Sequence, residues 1–404
     1  MKLALVHDYF IQDGGAEKVL AVMQEIWPDA PTYALFFDPK KFPHLAGRDI
    51  RTSFLQKMPF ALKKYQWYIM LMPTATEHHD LSEYDVVVSS TSAFAKGILT
   101  RPNTTHICYC HTPTRYLWSD SHSYVEELHV PRFIKSILPP VLSRLRMWDK
   151  QAADRVDHFV ANSQTVRERI QKYYRKESHV IFPPVDTHRF HISPRPKKYF
   201  LTGGRLVAYK RFDLVIDACN KTGIPLKIFG SGPVEADLRK QAKSNVDFLG
   251  KVSDDDLHDL YADALAFIHP QEEDFGITPV ESMASGRPVI AYKKGGAVET
   301  VVEGVSGEFI ETQTWEAMRR LAPTIAHVSP ERQRDELTRM LQGNRPSRAL
   351  RLLDASGLLE RVLPEIAAMK GVEQGRDVHP EGDVFEHTLL CLDNLEKRTP
   401  TACW

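Results

Sequence analysis

Short, largely apolar runs alternate over the first 310 positions with longer stretches in which apolar residues recur every third or fourth place. Leu3–Val6, Asp85–Ser89, His106–Cys110 and Phe159–Ala161 read as buried strands of one group. Phe200–Thr202, Leu226–Phe229, Phe248–Gly250, Ala264–Ile268 and Val289–Tyr292 form a second. Helices fit between them. One follows Gly14 and Gly15 and carries Ala16, Val19, Leu20 and Met23 on one face; others begin at Phe212 and after Ser253. A short one has Thr278 as N-cap, Pro279 in the first helical position and Glu281 at the third, and Gly286 and Pro288 end it. Such alternation predicts α/β architecture with doubly wound parallel sheets. Pro183 and Pro184 suit neither a central strand nor a helix, so 180–196 reads as a linker between domains at 1–179 and 197–313. Residues 314–404 read as a small all-α segment.

Composition narrows the class. The chain has 404 residues, enough for two or three domains, and 52 Lys+Arg balance 52 Asp+Glu, so bulk attraction to nucleic acid is not indicated. Any anion site must be local. The 5 cysteines are too scattered for a disulfide framework; Cys108 and Cys110 share one face of a strand and read as packed thiols. The apolar start MKLALV is too short for a signal peptide, and no apolar run is long enough to span a bilayer, which predicts a cytoplasmic protein. Residues 54–72 and 132–150 mix aromatic and aliphatic residues with lysine and arginine. Basic amphipathic helices there would either pack on a core or make a peripheral contact with the inner face of a membrane.

Candidate chemistry sits in the strand-to-helix turns. Gly14 and Gly15 follow the first strand; Gly203, Gly204 and Arg205, with Lys210 beyond, follow another; Gly230 and Gly232 follow Phe229; and Phe275, Gly276 and Ile277 precede Glu281. Free N–H groups at such turns favour phosphate; a tight turn that needs glycine for backbone reasons alone is the alternative. Glu273 and Glu281 form an E-x7-E pair, open to a capping-box reading for Glu281 and a loop-acid reading for Glu273. His111 ends the strand ICYC and fits a core histidine or a site residue. Asp254, Asp255 and Asp256 contain a D-x-D, but they follow Ser253 in a first helical turn, where acids offset the dipole.

The phrases VHDYFIQDGGAEKVL, CYCHTPTRYLW, ANSQTVRERI, FPPVDTHRF, GRLVAYKRFD and EEDFGITPVESMASGRPVIAY together resemble the GT-B glycosyltransferases of family 4, nearest to bacterial mannosyltransferases of surface polysaccharide assembly. The resemblance covers about residues 1–312. It implies two Rossmann-like domains facing a cleft and retaining transfer of a hexose from a nucleotide diphosphate sugar, GDP-mannose, to a polyprenyl-diphosphate-linked saccharide. It implies no cofactor and no metal ion. On it, Glu281 binds the ribose hydroxyls, Glu273 lies near the hexose, and Arg205 and Lys210 grip the diphosphate. His111 bonds the hexose or assists the hydroxyl. Gly14, Gly15, Gly204, Gly230 and the turn Phe275–Gly276–Ile277 would line the nucleotide sugar. Nucleotide-sugar 2-epimerases and glycogen phosphorylase share the two-lobed plan, but nothing nominates the cofactor lysine a phosphorylase needs.

From about Trp315 the phrases WEAMRRLAPTIAHVSPERQRDELTRMLQG, SRALRLLDASGLLERVLPEI and HPEGDVFEHTLLCLD resemble the helical part of bacterial CCA-adding tRNA nucleotidyltransferases and the opening of their HD-type region. No nucleotidyltransferase catalytic motif precedes them. His379, Asp383 and His387 match that opening, but the later His-Asp pair is missing, so no metal is expected. The chain reads as a fusion, natural or artefactual, in which the helices that would brace the two lobes are replaced. Weakened transfer is one expectation, and tRNA binding by the tail is the alternative function.

Overall fold

A computed structural model describes residues 1–12, 14–121, 132–194, 197–310, 322, 325, 328–342, 346–375 and 382–394. Met1–Phe309 form one compact unit and Ile310–Trp404 a second.

The first unit contains two sheets. β1 (Leu3–His7), β2 (Thr32–Ala34), β3 (Ile50–Thr52), β4 (Val86–Thr91), β5 (Thr105–Cys110), β6 (His158–Ala161) and β7 (Ser178–Val180) lie in the order β3-β2-β1-β4-β5-β6-β7, every neighbouring pair parallel. β8 (Phe200–Gly203), β9 (Leu226–Phe229), β10 (Val246–Gly250), β11 (Ala266–His269), β12 (Val289–Tyr292) and β13 (Gly307–Ile310) lie in the order β10-β9-β8-β11-β12-β13. The helices that matter here are α1 (Gly15–Ile26), α2 (Met72–Glu77), α3 (Arg132–Asp154), α4 (Gln164–Tyr174), α5 (Phe212–Thr222), α6 (Glu235–Gln241), α7 (Asp254–Asp263), α8 (Ile277–Ala284) and α9 (Ala297–Thr300). This is the doubly wound pattern expected, once in each lobe. In both sheets the strand order reverses beside the first strand, at β1/β4 and at β8/β11. Loops leaving the carboxyl ends of such strands part company and open a crevice.

Burial explains why the apolar runs became strands. Ala4, Leu5, Val6, Val87, Cys108 and Cys110 are almost wholly enclosed, as are Leu201, Leu226, Ile228, Phe267 and Val289. Each large aliphatic or aromatic side chain so enclosed contributes roughly 1.5–3 kcal/mol. Cys108 and Cys110 lie side by side in the cluster with Phe159, Val166, Ile170 and Tyr174, as free thiols. Burial pushes the Cys108 thiol up to about 12 and holds Cys110 well above its usual range. Ser253 caps α7 by accepting the Asp256 N–H at 3.2 Å, so the three aspartates occupy a first helical turn.

Two polar devices hold the crevice loops of the first lobe. The buried Asp8 carboxylate accepts N–H bonds from Ser92, Ala93, Phe94 and Ala95 at 2.7–2.9 Å, which fixes the loop after β4. Asp149 of α3 meets Lys96 at 2.6 Å, both about 1% exposed, and also accepts from Thr114, Trp118 and Tyr174. That network pins the chain after β5.

Residues 54–72 differ from the expected amphipathic helix. They fold as 3₁₀ turns at Phe54–Lys57 and Tyr65–Tyr68 ahead of α2, because Pro59 and the positive φ at Phe60 interrupt any continuous helix. Leu55, Ala61 and Met72 enter a core with Leu142 and Leu145 of α3. Phe60 and Trp67, by contrast, are more than 65% exposed. Among the described residues no helix is long and apolar enough to cross a membrane.

In the second unit, helices Pro330–Leu341, Pro346–Ala355 and Val384–Asn394 surround Leu350, Leu353, Leu359, Phe385 and Leu389. Asp383 caps the last helix, accepting from the N–H groups of Phe385 and Glu386, and it also takes the Gly371 N–H. His387 lies one turn further, 3.4 Å from Cys391 Sγ, and His379 falls outside the described residues. Asp383 is thus spent on capping.

Candidate functional site

The second lobe supplies a tight pair of turns. After β8 the chain turns through Gly204 at φ +122°, and after β9 through Gly230 at φ +99°. The turns are in contact: a Cβ on Gly230 would lie 1.8 Å from the Gly204 carbonyl oxygen, so only glycine fits there. A Cβ on Gly204 would be 3.3 Å from Lys210 Nζ, which places that ammonium over the turn. Lys210 ends the 3₁₀ turn Ala208–Lys210 just before α5 and meets Glu273 at 2.7 Å. Arg205 is exposed; its charge acts on Lys210 and, across the crevice, on Tyr9 and Tyr65 of the first lobe.

Glu273 stands on the loop that leaves β11. Burial alone would push its carboxyl up, but Lys210 beside it, helped by a 3.2 Å hydrogen bond from Gln271, holds it at about 2. Lys210 is raised in turn: burial pulls it down and Glu273 more than compensates. Gln271 also joins His269 Nδ1 at 3.1 Å, and burial pulls that imidazole down to about 4. The result is a row, with His269 and Gln271 buried and Glu273 and Lys210 partly so, which keeps the carboxylate ionised and aimed.

The next turn differs from the capping box expected at Thr278 and Glu281. α8 starts two residues earlier, at Ile277, with Gly276 at φ +86° as its cap and no side-chain cap bond. The reason is tertiary. Glu281 is taken up by other partners: the Tyr261 hydroxyl donates to its Oε2 at 3.1 Å and Lys18 Nζ meets its Oε1 at 2.8 Å. Phe275 stacks on Phe182 with ring centres 5.6 Å apart, so it offers this site its backbone rather than an open ring.

Lys18 belongs to the first lobe. Gly14 is the N-cap of α1 and makes no side-chain cap bond, and a Cβ on Gly15 would lie 3.0 Å from Ile277 Cδ1. The uncapped first turns of α1 and α8 therefore touch. His111, at the end of β5, bonds Ser90 Oγ through Nε2 at 2.8 Å, and burial, with His7 facing it, pushes it down to about 3. His7 itself contacts Ser90 and Glu17 and is raised, because Glu17 outweighs the burial that would lower it. The lobes are further joined by Arg169, which pairs with Glu272 at 2.9 Å and with Asp274, and by Glu299, which accepts the N–H groups of Gln164 and Thr165 at the start of α4.

The structure thus brings Gly15, Gly204, Lys210, Gly230, Glu273, Gly276, Ile277 and Glu281 to the carboxyl ends of strands at the two reversal points, with Arg205 beside them and His111 on the facing lobe. Sequence reasoning missed Lys18, Tyr261 and Gln271. Lys18 lies within the phrase VHDYFIQDGGAEKVL, but its partner is 263 positions away.

Comparison with known proteins bears on this arrangement. Residues 31–189 match the family described as Glycosyltransferase Family 4, and residues 186–335 match Glycosyl transferases group 1. Two adjoining stretches of the chain thus match glycosyltransferase families, one for each lobe. Residues 309–370 match a third family, the probable RNA and SrmB-binding site of polymerase A. The chain is 28% identical over 207 residues to the D-rhamnosyltransferase WbpZ of Pseudomonas aeruginosa, covering 46% of this chain and 52% of that protein. To the O-antigen chain mannosyltransferase C of Escherichia coli it is 30% identical over 154 residues, 34% of this chain and 40% of that one. To the multifunctional CCA protein of Verminephrobacter eiseniae it is 40% identical over 86 residues, 21% of each. The chain therefore spans about half or less of the curated relatives it matches. Among solved structures, sucrose-phosphate synthase from Thermosynechococcus elongatus superposes with TM-score 0.61 at 14% identity, over 81% of this chain and 90% of that one. Anabaena HepE in complex with UDP and glucose gives 0.56 at 21%, over 77% and 85%. These likenesses fix the GT-B fold.

Proposed function

We propose that this chain transfers a hexose, mannose from GDP-mannose, to a polyprenyl-diphosphate-linked saccharide with retention of configuration and without a metal ion. The observation that carries the reading is the Lys210–Glu273 contact over the Gly204 turn, beside the uncapped first turn of α8. Cleaving a sugar from a nucleoside diphosphate leaves growing negative charge on the phosphates. Lys210, held by Glu273, would be a fixed cation at that point, and Arg205 and helix N–H groups would add to it, so the transition state would be favoured over the ground state. Glu273, held ionised, would bond the hexose, and the neutral His111 imidazole would accept a proton or a hydrogen bond. Glu281 would take the ribose hydroxyls. The mannosyl and rhamnosyl activities in the names of the two bacterial relatives support the sugar class.

A lipid-linked acceptor fits a protein that works at the cytoplasmic face of a membrane. Phe60, Trp67, Met70 and Leu71, exposed beside Lys57, Lys63 and Lys64, and α3 with its exposed Ile137 and Met147, are the surfaces we assign to that contact. Calorimetric titration with GDP and UDP tests the reading: heat with GDP is expected, and no heat with either nucleotide removes it. Product analysis with GDP-mannose and a lipid-diphosphate saccharide then identifies sugar and acceptor.

The match of residues 309–370 to an RNA-binding family favours a second reading for the tail, tRNA binding, with glycosyl transfer weak or lost. A gel shift with tRNA decides it, since the glycosyltransferase reading expects none.

A further inference from the structure

Lys18 lies one turn into α1 from Gly15, and Glu281 one turn into α8 from Ile277. Contact between those two first turns brings ammonium and carboxylate to 2.8 Å. The partners are unequal: 48% of the Lys18 side chain is exposed, against 6% of Glu281. Tyr261, wholly buried, fixes the other carboxylate oxygen, so Oε1 is the oxygen that can change partner. A lysine near the positive ends of two helices needs an anion beside it. Here the buried carboxylate provides one.

Under the function proposed above, on which this inference rests, a nucleotide acts on that pair twice. Its ribose competes for Glu281 Oε1. Its phosphates, at the first turn of α8, present a stronger anion roughly one helical turn away, within reach of a flexible lysine stem. We propose that Lys18 is a two-position cation, held on Glu281 in the nucleotide-free protein and passed to a phosphate of the nucleotide when it binds. No covalent bond is made or broken. The transfer penalises a bare nucleoside, which must break the ion pair and offers nothing in return, and favours a nucleoside diphosphate.

Titrating the wild-type chain, Lys18→Met and Lys18→Arg with guanosine, GDP, uridine and UDP tests this. Lys18→Met is expected to bind the nucleoside about threefold tighter and the diphosphate about tenfold weaker, the loss of one charge-assisted contact. Lys18→Arg should keep the wild-type preference. Nucleoside and diphosphate affinities that shift by one common factor in Lys18→Met, or do not shift, overturn the proposal and leave an ordinary ion pair between the lobes. A wild-type chain that binds neither GDP nor UDP overturns the nucleotide-sugar reading as well. Wild-type binding with an unchanged preference in Lys18→Met overturns only the role of Lys18.

Discussion

Replacing Gly230 with alanine probes the contact between the two glycine turns of the second lobe, and Gly223→Ala is its control. Both glycines sit at positive φ, +99° and +71°, so each alanine bears the cost of a left-handed backbone, about 1–2 kcal/mol. They differ in surroundings. A Cβ at 223 meets nothing within 4 Å, whereas at 230 it would lie 1.8 Å from the Gly204 oxygen and 2.7 Å from its carbonyl carbon. Relief requires the Gly204 turn to retreat by more than 1 Å, and forced backbone movement of that kind costs a further 1–3 kcal/mol or so. Urea unfolding should therefore place Gly230→Ala about 1–3 kcal/mol below Gly223→Ala. Because Gly204 lies beneath Lys210, GDP affinity should also fall, by roughly tenfold or more, in Gly230→Ala and stay near wild type in Gly223→Ala. Equal stabilities, or a folded Gly230→Ala that binds GDP like the wild type, would refute the claim that these turns form the phosphate seat.

Asp149→Ala strands the Lys96 ammonium in the core and should cost about 3–5 kcal/mol by urea unfolding. Acidification should destabilise the fold in a defined window. His79, His106, His111 and His269 are depressed to about 4, 4, 3 and 4, so the unfolded chain takes up protons first, and stability present above pH 6.5 is lost as pH falls toward 4. Glu273, at about 2, extends the loss below its unfolded value near 4.5. His7, raised, contributes in the opposite sense, one group against four. Urea midpoints that do not change between pH 7 and 5 would contradict this. Phe60→Ser with Trp67→Ser should cut co-sedimentation with anionic phospholipid vesicles severalfold and leave the melting temperature unchanged, since both side chains are exposed.

Much of the fold was legible because buried parallel strands are continuous apolar runs. Leu226–Phe229 and Val289–Tyr292 match the expected spans residue for residue. Among the strands that went unread, Thr32–Ala34 and Ile50–Thr52 are three residues long and carry polar side chains at one sheet edge or beside it, and Gly307–Ile310 is the edge strand of the other sheet. Local signals also misled where long-range contacts outweighed them. Thr278 and Glu281 have capping-box spacing, yet Glu281 gains more from Tyr261 and Lys18 than from a backbone N–H. Of the candidate site, local pattern pointed to the glycine turns and left Glu273 open to a loop-acid reading until the family resemblance nominated it. Lys18, Tyr261 and Gln271 owe their places to pairings that no single stretch of sequence records.

The enclosed thiols give this chain a set of internal markers. Cys108 and Cys110 lie inside the first sheet and Cys219 inside the second lobe, all below 4% exposed, while Cys391 is on the surface of the tail. An alkylating reagent must wait for a region to open before it can mark the cysteine inside. Peptide mapping after timed labelling would therefore give a separate clock for each lobe, and show whether they come apart together or in turn, with no engineered probe.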